Sequence, residues 1–188
     1  LYVRAQRSGG APGSLCAGLI QGRARGQQSP THVDGPLGAY RTVNREATLK
    51  RRQAGLDDEP KKTVMPIDWF DRWWTAVIAA DLEGYGATSR APTGVVQDGR
   101  EYWSSENSVY APSLITVPVL VTVGELDRDT PVHMAQTLFS PLTVAPWRRL
   151  SVLSGGTHTI LIERHRMLLF RSVQQFLEEA PPATEALA

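Results

Sequence analysis

The apolar and polar positions divide the chain into two stretches of different character. From residue 117 onward short apolar runs alternate with helical stripes. Before it, one strong amphipathic helix stands among polar, glycine- and proline-rich segments. Val117 to Val123 is a continuous apolar run of strand length, the pattern of a parallel strand covered on both faces. Thr130-Pro131 offers an N-cap and a first-turn proline for a helix to Phe139, with Val132, Ala135, Leu138 and Phe139 inward and Pro141 as its stop. Leu150 to Leu153 reads as the next strand. A long amphipathic helix is expected from Leu161 to Leu177, with Leu169, Val173, Phe176 and Leu177 on its core side, ended by Ala180-Pro181-Pro182. Strand, helix, strand, helix at these spacings predicts an α/β fold with parallel strands and flanking helices.

Upstream, Pro66 to Ala80 is the strongest helix. Pro66 suits its first turn, Asp68 complements the dipole and Gly84 lies beyond its end. Ile67, Phe70, Trp74, Val77 and Ile78 form one stripe, and Trp69, Trp73, Ala76 and Ala80 a neighbouring one. An arc that wide is buried on more than one side, and both core packing and the roofing of a pocket fit it. A short helix is expected over Tyr40 to Lys50, with Ala39, Val43, Ala47 and Lys50 along one side, followed by a charged loop from Gly55 to Lys62. Residues 85–112, rich in glycine, proline and serine and containing Tyr102-Trp103 and Tyr110, read as an irregular return connection. The leader opens on an apolar Leu1-Tyr2-Val3. Thereafter Ser8 to Gly13 and Gly22 to Pro30 are glycine-, arginine- and glutamine-rich, as in loops or linkers.

Length and composition narrow the picture little. The 188 residues suffice for one domain with a real core, and 41% hydrophobic with 21% charged residues is ordinary for a globular protein. A formal net charge of +1 gives no footprint for nucleic acid or an anionic membrane. No apolar run reaches spanning length, so no membrane span is expected. The single cysteine, Cys16, excludes an internal disulfide and points to a cytoplasmic setting. No two histidines share the close helical spacing of a zinc motif and Cys16 has no partner, so no metal is expected.

The chemistry concentrates in two turns. Gly124-Glu125-Leu126-Asp127 follows the first strand, and Gly155-Gly156-Thr157-His158 follows the second. An acid and a base at the carboxyl ends of neighbouring strands occupy the place where open α/β sheets build their sites. A partly desolvated carboxylate there can orient an imidazole, as hydroxyl activation requires. Of three carboxylates, Asp129 has a task at the start of the next helix and Glu125 points to the other side of the turn, which leaves Asp127. His32, His133 and His165 read as ordinary surface histidines.

These motifs resemble the C-terminal portion of the α/β-hydrolase family. The shared pattern is a strand, a Gly-x-x-Asp turn with a proline soon after, a helix, a strand and a histidine, here Val117 to Pro131 and Gly155 to His158, then Glu163 with its amphipathic helix. The resemblance implies Asp127 as triad acid, His158 as triad base, and residues 38–112 as a helical lid whose Trp69, Trp73 and Trp74 bind substrate. It implies a partial α/β-hydrolase fold, with a leader over 1–37, the core portion over 113–180 and a disordered tail over 181–188. The implied activity is hydrolysis of an ester or similar small apolar acyl substrate, without a cofactor.

The family's Gly-x-Ser-x-Gly elbow is not in this sequence. The nucleophile is therefore expected upstream of residue 1, with Leu1-Tyr2-Val3 ending the strand that follows the elbow. An aspartate there would redirect the chemistry to haloalkane or epoxide opening. Ser14-Leu15-Cys16-Ala17-Gly18 is a second candidate elbow, with a thiol nucleophile. Two parallel strands with their helices leave one sheet edge unpaired, so self-association or pairing with a missing N-terminal segment is expected. The rival function is that of a catalytically incomplete binding or interaction module.

Overall fold

A computed structural model of the chain describes residues 2–5, 36–54, 56–57, 63–81, 86–98, 100–101 and 111–179. The expectations for Ser8 to Pro30, Cys16, Tyr102-Trp103, Tyr110 and the 181–188 tail lie outside the described residues. The elements run β1 (Tyr2–Ala5), β2 (Tyr40–Asn44), α1 (Arg45–Arg52), α2 (Ile67–Ala80), β3 (Thr88–Pro92) and α3 (Gly94–Asp98). They continue through β4 (Val119–Gly124), α4 (Val132–Phe139), β5 (Arg148–Leu153) and α5 (Arg166–Glu178). The described residues form a mixed α/β fold with two small sheets, one of order β1-β4-β5 and one pairing β2 with β3.

The β4–β5 pair is parallel, as the apolar runs predict, in a register from Val119 opposite Arg148 to Gly124 opposite Leu153. Every residue of β4 is buried, which explains a run with no alternation. Val119, Val121 and Val123 pack on Ala135, Leu138 and Leu142, with Leu150 against them. The face that carries Leu153 is covered by Ile160, Leu169 and Val173. Below it the Trp147 and Phe176 rings stack with centroids 4.4 Å apart.

Several expectations need correction. The sheet is not wholly parallel: β1 pairs antiparallel with β4, from Tyr2 opposite Thr122 to Ala5 opposite Val119. The free edge of β4 accepts a short strand of either polarity, and antiparallel ladders are slightly the more stable per residue. The 38–112 segment is not purely helical. Residues 40–44 form a strand, and β3 falls inside the stretch read as irregular, the two pairing antiparallel from Tyr40–Pro92 to Asn44–Thr88. The expected helix over 40–50 thus begins at Arg45, where the Asn44 side chain caps it by accepting from the Ala47 N–H at 2.8 Å. Asn44 ends a strand and starts a helix, a boundary that the weak helical stripe hid.

The tryptophan-bearing helix forms nearly as expected, over Ile67–Ala80, with Phe70 and Trp74 buried. They pack with Met65 against Val43, Leu49, Val77, Ile78 and Ile162. Ile162 belongs to the loop after β5, so this cluster docks the helical segment on the sheet's carboxyl end. Burying two such rings stabilises the docking by roughly 2–3 kcal/mol each. Polar contacts repeat the docking: the Arg164 N–H donates to the Val64 carbonyl and Arg164 Nε to Thr63, both at 2.9 Å. The last helix starts at Arg166 rather than Leu161, because Ile160–Ile162 is spent on a 3₁₀ turn that buries Ile160. No helix of the described residues is long and apolar enough to cross a membrane.

Candidate active site

The two turns at the carboxyl ends of β4 and β5 touch. The Glu125 N–H donates to the Leu153 carbonyl and the Leu126 N–H to Gly156, each at 2.9 Å. Contact this close depends on glycine. A Cβ on Gly124 would lie 2.7 Å from both the Gly156 carbonyl carbon and the Thr157 oxygen, and nearer still to the Gly156 oxygen. Gly155 contributes differently, through its φ of +67°, which side chains rarely adopt. Glu125 is exposed and staples the two turns, accepting from Ser154 Oγ at 2.8 Å and the Gly155 N–H at 3.0 Å.

This approach brings Asp127 and His158 together. Nδ1 of His158 lies 3.2 Å from Oδ1 and 3.1 Å from Oδ2 of Asp127. Asp127 is buried, at 3% exposure, and its oxygens also accept from the Thr130 N–H at 2.7 Å and the Thr130 hydroxyl at 2.6 Å. Burial pushes its carboxyl up. The His158 hydrogen bond and charge, and both Thr130 bonds, outweigh burial and hold it below the ordinary carboxylate value. An ionised carboxylate only accepts, so Nδ1 carries the hydrogen and the lone pair of the neutral ring sits on Nε2. That nitrogen hydrogen-bonds to none of the described residues, and the His158 side chain is 41% exposed. The arrangement can take up a proton at Nε2 and hold the resulting imidazolium against a buried anion.

Thr130 corrects the sequence reading. It does not cap the next helix; Pro131 occupies the cap position with no side-chain bond, and the Thr130 hydroxyl serves Asp127 instead. Asp129 likewise does not serve the helix start. Its Oδ2 pairs with Arg51 on α1 at 2.8 Å and lies 3.9 Å from Nε2 of His158.

Glu163 is the site residue whose role the sequence did not reveal. Although fully buried, it accepts from the Thr157 N–H at 2.9 Å, from the Thr157 hydroxyl, and from the Thr159 hydroxyl at 2.9 Å. It thus fixes the residues on both sides of His158. A carboxylate five residues beyond a glycine-turn histidine, followed by the last helix, is a weak signal for that task.

A crevice beside the imidazole is lined by Thr122, Gly124, Asp127, Leu153, Thr157 and Ile160. The buried Thr122 hydroxyl on its wall has no hydrogen-bond partner among the described residues. None of the three tryptophans lines it. Trp74 is inside the α2 cluster, the Arg52 guanidinium lies 4.0 Å over Trp73, and that of Arg166 lies 4.1 Å over Trp69. Among the described residues no group of three or more His, Cys, Asp and Glu side chains is arranged to hold a metal. No family model, no curated protein and no solved structure matches the chain.

Proposed function

We propose that this chain carries the base and the positioning acid of an esterase-like enzyme of the α/β-hydrolase family, acting on a small apolar acyl ester. The observation that supports it most is the His158 ring, held by Nδ1 on a buried carboxylate with Nε2 unbonded and open. In this reading His158 is the catalytic base. It takes the nucleophile's proton as the nucleophile adds to the carbonyl carbon, and returns it to the alkoxide that leaves. Asp127 is a positioning residue that fixes the tautomer, and Glu163 positions the loop. The nucleophile belongs to a segment outside the described residues, and the helical segment carrying Trp69, Trp73 and Trp74 serves as the lid. No cofactor enters the reaction. The lone cysteine supports a cytoplasmic setting.

Hydrolysis of short-chain p-nitrophenyl esters tests the proposal. Turnover should vanish in His158→Ala and fall by roughly 10³–10⁴-fold in Asp127→Asn. Turnover indifferent to both substitutions refutes it. Alkylation with iodoacetamide that abolishes turnover assigns the nucleophile to Cys16, and alkylation that leaves it intact excludes that residue.

The open state of Nε2 also favours a second reading, a binding module that retains the site's geometry without its chemistry. Binding of an acyl ester analogue that is lost in His158→Ala, with no turnover of any ester, would favour it.

A further inference from the structure

Asp129 lies between an arginine and the imidazole in an uneven way. Its Oδ2 is 2.8 Å from Nη2 of Arg51, yet the same oxygen is 3.9 Å from Nε2 of His158, beyond hydrogen-bond reach. Arg51 lies near the end of α1, in the helical segment, whereas Asp129 and His158 lie on the turns of the sheet. One ion pair therefore connects the docking of α1 to the nitrogen that must stay open. We propose that Arg51 is a positioning residue that holds Asp129 off His158, so that the undocking of α1 lets Asp129 accept from Nε2 once the ring is protonated, trap the proton there and close the site. This rests on the reading of His158 as a proton acceptor, and it adds regulation of that acceptor by the helical segment.

Three observations support the arrangement. First, Asp129 needs only a side-chain rotation to move from Arg51 to the ring, because it already lies within the distance at which an ion pair forms. Second, among the described residues no other charged side chain pairs with Nε2. Asp127 and Thr130 meet the ring at Nδ1, and Glu163 is engaged by Thr157 and Thr159. Third, Arg51 is about half exposed and Asp129 about a quarter, and a pair so exposed is weak enough to be made and broken as a helix docks. With the pair intact the ring keeps a free lone pair. Once it is broken, the nearest anion to an imidazolium at Nε2 is Asp129, which would hold the proton there against any nucleophile.

Carbethoxylation of His158 by diethyl pyrocarbonate at neutral pH, followed by peptide mapping, reads the state of Nε2 without requiring turnover. His133 and His165 serve as internal controls. In Arg51→Met the His158 rate should fall at least about threefold, which corresponds to roughly 0.7 kcal/mol. It should recover in Arg51→Lys and in the double variant Arg51→Met with Asp129→Asn, while Asp129→Asn alone reacts no more slowly than the parent. Arg51→Gln repeats the test if the methionine variant does not fold. An unchanged rate in the Arg51 variants overturns the proposal, as does a double variant as slow as the single one. Ester turnover that survives in His158→Ala, in a chain that shows this carbethoxylation pattern, would refute the hydrolase reading and leave the Arg51 restraint standing.

Discussion

Gly124→Ala is the smallest substitution that should separate the two catalytic turns. The added methyl would meet backbone rather than a yielding side chain, 2.7 Å from the Gly156 carbonyl carbon and the Thr157 oxygen. Ordinary contact between nonbonded carbons is about 3.5 Å, so the turns must part by about 1 Å. That movement strains the bond from the Leu126 N–H to Gly156 and takes Nδ1 of His158 out of reach of Asp127, now 3.1 Å away. Overpacking of this kind costs about 1–3 kcal/mol, and a buried carboxylate that loses a partner costs about 1–3 kcal/mol more, so a total of about 4 kcal/mol is expected. With a urea dependence of about 2 kcal/mol/M, the unfolding midpoint should fall by about 2 M. Gly94→Ala is the matched control. It meets nothing within 4 Å and opens α3, so it should be neutral or stabilise by up to about 1 kcal/mol. If the two alanine variants unfold at the same urea concentration, the close approach of the turns does not hold the site together.

Asp127→Asn should lower stability in a pH-dependent way. The folded carboxyl is held below its ordinary value, so its contribution is present above about pH 4 and is lost as pH falls through the folded pKa. The gap in urea midpoint between parent and variant should therefore shrink in acid, and a gap that widens there contradicts the assignment. Glu163→Gln replaces an acceptor oxygen by a donor among three donors and should cost about 1–3 kcal/mol, read as a lower thermal midpoint, with slower ester turnover. Phe176→Ala removes a fully buried ring stacked on Trp147 and should cost about 3–5 kcal/mol in urea unfolding without displacing His158, which its NMR ring signals would report.

What the sequence revealed and what it concealed follow from how far each signal reaches. β4 and α2 were legible because their cause is local: an unbroken apolar run demands cover on both faces, and a broad helical stripe demands burial. The juxtaposition of Asp127 and His158 was legible because parallel neighbouring strands deliver their following turns to the same end. β3 was hidden because Thr88-Ser89-Arg90-Ala91-Pro92 has no apolar alternation and owes its extended form to pairing with β2. Its anchor is also tertiary. Asp81, at the end of α2, accepts from the Arg90 N–H at 2.6 Å, and chiefly that bond depresses its carboxyl.

Thr130 was misread because a threonine before a proline looks like a cap. Nothing in the local sequence shows that a carboxylate three residues earlier has claimed its hydroxyl. The tryptophans were legible as buried or roofing residues but not as one or the other. The structure puts Trp74 in a cluster and sets Trp69 and Trp73 beneath arginines.

The proton on the His158 ring is the point on which the functional reading depends. Two-bond ¹H–¹⁵N correlation NMR on histidine-labelled protein reports which nitrogen carries it. The account predicts that the neutral form of the His158 ring carries its hydrogen on Nδ1 and leaves Nε2 bare, a tautomer that Asp127→Asn should disrupt. A His158 protonated on Nε2, or one that ignores the loss of the Asp127 charge, would contradict it.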